Sequence, residues 1–236
     1  MIALFTVLAI SYVLGSIPSS LWVGQIFHKM DIRNFGSGNL GTTNAFRNLG
    51  WKSGVSVLVL DFMKGFVASY WVAMYAFEIS NGPIAPPGWE ADAFLKITCG
   101  LFAVTGHMFP IFANFKGGKG AATACGMLYG IEPISIGISS VIFIVIVLTT
   151  RYVSLASMTA SFIYPVSLLV MRFGLGINVD GSIIIFAIII AAGIIYKHKS
   201  NIQRLMNGTE SRVNIYGNKN KSEEESQEQD LEKAQV

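Results

Sequence analysis

Charge is what this sequence has least of. Only 13% of its 236 residues are Asp, Glu, Lys or Arg, while 52% are hydrophobic. A water-soluble domain carries about 25% charged residues, so the deficit excludes a chain that covers itself with a solvated polar shell. Cysteine is almost missing as well. Cys99 and Cys125 sit among apolar or small neighbours. Two such residues make neither a disulfide framework nor a thiolate metal site, and they read as small buried side chains. Histidine occurs three times, with no His, Cys and carboxylate cluster at ligand spacing. No metal or other cofactor is expected, and nucleic acid is not expected as a partner.

Long apolar runs are present in place of charge. Ile134–Thr150 and Gly181–Tyr196 carry no ionisable side chain apart from the terminal tyrosine. At ~1.5 Å rise per helical residue, such runs cross most of a ~30 Å hydrocarbon core. Candidate spans are 2–23, 54–77, 94–112, 120–131, 134–150, 153–171 and 182–197. The fourth is short and rich in Gly and Ala, so it crosses, nearly crosses, or re-enters. The first run has no basic residue before it and no small-x-small cleavage site. It is therefore expected to be a retained helix and not a signal peptide.

Orientation follows from the loops. The 24–52 loop holds Lys29, Arg33, Arg47 and Lys52 against Asp31, whereas the 78–93 loop holds only acids. Basic loops stay on the cytoplasmic side. The basic segment after Tyr196 belongs there too, and parity then requires segment 120–131 to count as a span. The expected fold is an all-α membrane protein: a seven-transmembrane-helix bundle with its N-terminus outside and its C-terminus cytoplasmic. Residues 1–212 form this membrane domain. Residues 213–236 form an acidic C-terminal tail with almost no apolar side chains, expected to be disordered.

Four segments fall on the cytoplasmic side in this arrangement, and all four carry chemistry. The first is Arg33 to Asn44 (RNFGSGNLGTTN), followed by Arg47. Its glycines allow close backbone approach, Ser37, Asn39, Thr43 and Asn44 offer neutral donors, and Arg47 can grip phosphate bidentately. The second is Gly106-His107, then Asn114 to Thr123 (NFKGGKGAAT). Here Gly117, Gly118 and two lysines precede a helix start, a natural anion nest. It is not a Walker A loop, because Gly120 follows Lys119 where Ser or Thr is required. His107 is open between a structural and a catalytic role.

The third segment, Arg151 to Ser157, and the fourth, Tyr196 to Glu210, each have a plainer reading as headgroup anchors. Asp61 and Lys64 lie three residues apart in the second span, so they share a helix face. A charge pair there is costly and is expected to support the nearby loops. From the residues alone, an enzyme, a transporter of phosphate-bearing anions and a lipid-binding scaffold all stay open. Transporters place their site near mid-membrane between repeats, which does not match motifs gathered at one face.

Taken together, the chain resembles the bacterial acyl-phosphate:glycerol-3-phosphate acyltransferases over residues 5–212. The resemblance rests on Gly15 to Pro18 (GSIP), the Arg33 to Asn44 run with Arg47, Asp61 to Gly65 (DFMKG), Gly106-His107, and Phe115 to Thr123. It continues in Arg151 to Ser157, Asn201 to Leu205 and Gly208 to Glu210. It implies a seven-helix acyltransferase domain in the bacterial cell membrane with its active site on the cytoplasmic face. The implied reaction moves a fatty acyl group from acyl phosphate to the sn-1 hydroxyl of glycerol 3-phosphate, giving lysophosphatidic acid and phosphate. Implied partners are these two substrates, the lipid bilayer, and the upstream enzyme that forms acyl phosphate.

By resemblance, Ser37, Arg47, His107 and Lys119 belong to the catalytic set. Asn39, Thr43, Asn44, Gly117, Gly118, Ser154, His198 and Asn201 bind substrate. An acyl phosphate is already activated, so direct attack without an acyl-enzyme is expected. The His-x-x-x-x-Asp pattern of other glycerolipid acyltransferases is missing: Arg33, Phe112 and Gln203 stand five positions after the three histidines. The base is then the donor's own phosphate, His107 or His198.

Overall fold

The computed structural model describes residues 2–79 and 85–212, and all regular structure among them is helical. The acidic segment 213–236, and part of the 78–93 loop, lie outside the described residues. In chain order the helices are α1 (Ile2–Gly15), α2 (Ser19–His28), α3 (Thr42–Val67), α4 (Ala73–Ile79) and α5 (Ala91–Met108). They continue as α6 (Ala121–Ile131), α7 (Pro133–Thr150), α8 (Val153–Leu169), α9 (Gly181–Lys197) and α10 (Lys199–Met206). A π-helical turn, Ala68–Val72, fuses α3 and α4 into one run, Thr42–Glu78.

Four of these runs are long and apolar enough to cross a membrane, and up to six are if each bent pair counts as one span. The chain is thus an all-helical, multi-pass membrane protein. The first span, expected to be continuous over 2–23, is broken into α1 and α2 with a 40° bend. Pro18 causes the break, because its ring disfavours helical backbone at the preceding residue. Helix also begins at Thr42, well before the expected 54. Gly50 interrupts it at φ 79 and ψ 172, a conformation only glycine adopts easily, so Thr42–Leu49 forms a separate arm beside the loop. The last span ends in a 55° bend onto α10.

In lipid, apolar side chains gain little by leaving one apolar solvent for another, so helices associate through close packing of small residues. Helix α3 packs on α6 and α1 packs on α5. A Cβ built on Gly65 of α3 would collide with the Thr123 carbonyl, and one on Gly126 of α6 would collide with the Phe62 carbonyl. The α1–α5 contact repeats this device at Gly15 against Ala103 and Gly106 against Tyr12. Ser69 Oγ sits in the same seam, 3.0 Å from the carbonyls of both Gly65 and Met127. Outward faces are apolar: Val141, Ile144 and Leu148 of α7 are all more than half exposed.

The seam leads to a direct comparison. Gly126→Val should lower the stability of the detergent-solubilised protein by at least ~1–3 kcal/mol, the usual cost of overpacking. Gly137→Ala in α7, where an added Cβ meets nothing within 4 Å, should leave it within ~0.5 kcal/mol. Thermal unfolding of the two variants beside the parent checks both.

Candidate active site

The loop between α2 and α3 is shaped by its own short polar side chains. Asp31 accepts from the Arg33 amide at 3.0 Å and pairs with the Arg33 guanidinium at 2.6 Å. That hydrogen-bonded guanidinium holds the Asp31 carboxyl below its ordinary value. Arg33 is therefore neutralised locally. Gly36 and Gly38 then turn with positive φ, and the buried Asn44 clasps the loop from the first turn of α3. Its Oδ1 accepts from the Ser37 amide at 3.1 Å and from Asn48 Nδ2 at 2.9 Å, and its Nδ2 donates to the Phe35 carbonyl at 3.1 Å. Asn44, expected among the substrate-binding donors, spends its amide on the loop.

The second loop leaves α5 at Met108 and folds back on it. Asn114 and Phe115 both take left-handed backbone. The Gly117 amide donates to the Met108 carbonyl at 3.2 Å, and the Gly118 amide donates to the His107 carbonyl at 3.1 Å. These two glycines were expected to offer their N–H groups to an anion. Both N–H groups are instead used within the protein, because the loop must close tightly on the end of α5. The donors left for a ligand lie one step further on, at Lys119, Gly120 and the first turn of α6, whose leading amides have no partner within the helix.

Between the two loops lies a cavity of about 530 Å³ lined by Ser37, Asn39, Thr43, Asn44, Arg47, Asp61, His107 and Lys119, among others. The first residues of α3 (Thr42, Thr43) and of α6 (Ala121, Ala122) line it as well. Two helix N-termini thus converge on one space, each contributing a partial positive charge and free amides. Arg47 and Lys119 have no ion-pair partner among the described residues. This is an environment for anionic oxygen, and its polar neutral groups suit hydroxyls.

Asp61, which sequence reasoning placed only as support, lies in the wall of this cavity. Its side chain is 1% exposed, 2.9 Å from Lys64 Nζ, and its Oδ2 lies 3.5 Å from Thr42 Oγ1. Lys64 Nζ also donates to the Ile17 carbonyl at 3.0 Å, in the break between α1 and α2. The i, i+3 spacing was the signal for the pair, but the cavity beside it had none.

The third and fourth segments meet each other and do not line this cavity. Ser154 Oγ and Asn201 Nδ2 donate to Glu210 Oε1 at 2.7 and 2.8 Å, and Arg204 Nε donates to Oε2 at 2.7 Å. The donors expected to hold substrate therefore converge on a protein carboxylate. His198 lies at the α9–α10 bend with Nδ1 2.8 Å from the Ile194 carbonyl. Sequence reasoning met Glu210 only within the Gly208 to Glu210 motif and gave it no role, since spacing alone does not show which donors a carboxylate will collect.

The hydrogen bonds from Ser154, Asn201 and Arg204 lower the Glu210 pKa from its ordinary 4.5 to about 2. A carboxyl depressed in the folded state contributes stability that is complete above its unfolded pKa and lost as pH falls through the folded one. The docking of α10 should hold above pH 4.5 and loosen as pH drops toward 2. Glu210→Gln should bring faster backbone hydrogen exchange in residues 199–206 already at pH 7, with α7 and α8 unaffected. Unchanged exchange in α10 would mean the carboxylate does not hold it.

The chain is similar to known proteins along nearly its whole length. The glycerol-3-phosphate acyltransferase family model matches residues 5–208. A glycerol-3-phosphate acyltransferase of Salinibacter ruber is 45% identical over 216 residues, covering 91% of this chain and 94% of that one. Another, from Chlorobium phaeobacteroides strain BS1, is 42% identical over 236 residues, covering 92% and 99%. Two crystal structures of PlsY (YgiH), an integral membrane glycerol 3-phosphate acyltransferase, in its glycerol 3-phosphate and lysophosphatidic acid forms, are 40% and 39% identical. Each aligns with a TM-score of 0.65 over 91% of this chain and 96% of that one. The chain belongs to the glycerol-3-phosphate acyltransferase family and is an integral membrane acyltransferase.

Proposed function

We propose that the protein transfers a fatty acyl group from acyl phosphate to the sn-1 hydroxyl of glycerol 3-phosphate, releasing lysophosphatidic acid and phosphate. One observation carries this reading: Arg47 and Lys119, neither of them ion-paired among the described residues, face a single cavity at the meeting of two helix N-termini. Both substrates bear phosphate, and both need such a cradle. Ser37, Asn39 and Thr43 supply neutral donors beside it for the glycerol hydroxyls.

In this mechanism the sn-1 oxygen attacks the carbonyl carbon of the acyl phosphate. The new C–O ester bond forms, the bond to the phosphate oxygen breaks, and the hydroxyl proton passes to the departing phosphate. Lys119 and the leading amides of α6 stabilise the negative charge that develops on the way. No acyl-enzyme is needed, because the donor is a mixed anhydride. The histidines support the substrate phosphate as base. His198 lies at the α9–α10 bend outside the cavity, and the His107 ring is wedged between Asp61 and Gly118. In this reading Ser154 and Asn201, held by Glu210, and His198, at the α9–α10 bend, stand outside the cavity and position α10 instead of binding substrate.

The membrane arrangement that suits this chemistry has seven spans, the N-terminus outside and the C-terminus cytoplasmic, with α6 as the short span. Residues 1–212 are the catalytic domain and 213–236 an appended acidic tail. The site faces the cytoplasm of a bacterial cell at its plasma membrane, where an upstream enzyme supplies acyl phosphate. Family membership answers the transport reading, since it assigns group transfer and not passage.

Purified protein given palmitoyl phosphate and glycerol 3-phosphate should release inorganic phosphate only when both are present. Lys119→Ala and Arg47→Ala should each lower kcat/KM by about 10²-fold or more. Turnover with acyl-CoA but not with acyl phosphate would overturn the donor. Radiolabelled acyl phosphate should leave no label on the protein after denaturation, and a trapped acyl-enzyme would overturn direct transfer.

A further inference from the structure

His107 sits at the last turn of α5, its side chain 5% exposed, and both edges of its ring are occupied. Nδ1 faces Asp61 Oδ1 at 3.6 Å, close enough for charge to act but long for a hydrogen bond. On the other side, a Cβ added to Gly118 would collide with Nε2, so the ring lies directly against the glycine loop. The loop is also tied to this residue through its backbone, since the Gly118 amide donates to the His107 carbonyl. Lys119 is the next residue along. Behind His107, Asp61 is anchored by Lys64, which is anchored in turn to the Ile17 carbonyl.

We propose that Asp61 and His107 form a buried strut that sets the position of the glycine loop, and through it the reach of Lys119 into the cavity. Both are positioning residues for the reaction proposed above, on which this inference rests, and neither takes the substrate's proton. Lys64 has a separate duty. A bare Asp61 carboxylate in the wall of an anion cavity would repel phosphate, and Lys64 at 2.9 Å cancels that charge. The pair therefore gives the loop a rigid polar backstop without electrostatic cost to the ligand.

The test is steady-state kinetics of the full chain with palmitoyl phosphate and glycerol 3-phosphate, together with hydrogen exchange of residues 114–120 in the absence of substrate. Asp61→Asn and His107→Gln should each lower kcat/KM by about tenfold or more, with KM for a phosphate substrate raised and any kcat loss within about tenfold. The shape of the pH–rate profile should be unchanged, and exchange in the loop should be faster. Lys64→Met should raise KM further than the double variant Asp61→Asn with Lys64→Met, because only the single variant leaves a bare carboxylate.

A kcat loss above about 10²-fold in His107→Gln, with an imidazole-like limb gone from the profile and KM unchanged, would make His107 the general base and overturn the strut. Parent-like KM and loop exchange in Asp61→Asn would overturn it too. If a single variant does not fold, the charge-free double variant carries the test, and parent-like KM and loop exchange in it would contradict the proposal. Parent protein that fails to use acyl phosphate would overturn the donor and leave the loop-exchange comparison, which needs no substrate, to judge the strut.

Discussion

The backbone contact of α3 with α6 is the constraint from which the rest of the structure follows. Gly65 and Gly126 admit the neighbouring helix where any Cβ would strike a carbonyl. In lipid this closeness is what holds helices together, since burial of apolar surface gives little. It has a geometric consequence. The N-terminal arm of α3 and the N-terminus of α6 end beside one another, so two loops distant in sequence wall a single cavity. The matching glycine contact of α1 with α5 brings the end of α5, and with it His107, into the same place.

Several accessory cations are neutralised locally. Arg33 is matched by Asp31, Lys64 by Asp61 and Arg204 by Glu210. Arg47 and Lys119 stand without such a partner among the described residues, and both face the cavity. A membrane protein with so few charges cannot surround a phosphate with many, and Arg47 and Lys119 are the two that line this cavity. The helix N-termini add positive potential without adding a side chain to desolvate.

Much of this was legible in the sequence, for definite reasons. Uncharged runs such as Ile134–Thr150 marked the helices, because only a helix satisfies its backbone in hydrocarbon. The Gly-rich segments ending in Arg47 and Lys119 marked the site, since few other functions need small residues and cations together before a helix. The break at Pro18 was written in the sequence but was overruled by the length of the apolar run. Gly50 looked like one more loop glycine, and only its backbone angles identify it as the hinge of the α3 arm. The partners of individual groups were not legible at all. That the amides of Gly117 and Gly118 close the loop instead of meeting a ligand depends on where α5 ends. That Ser154 and Asn201 meet at Glu210 depends on a bend between α9 and α10.

The central claim is that one cavity between the two loops holds the phosphate. The most direct measurement is a structure of this chain with glycerol 3-phosphate bound. The account predicts phosphate oxygens within about 4 Å of the Arg47 guanidinium and the Lys119 ammonium, at the head of α6. Phosphate held by Ser154, Asn201 and Arg204 in place of Glu210, with the cavity between the loops empty, would contradict it.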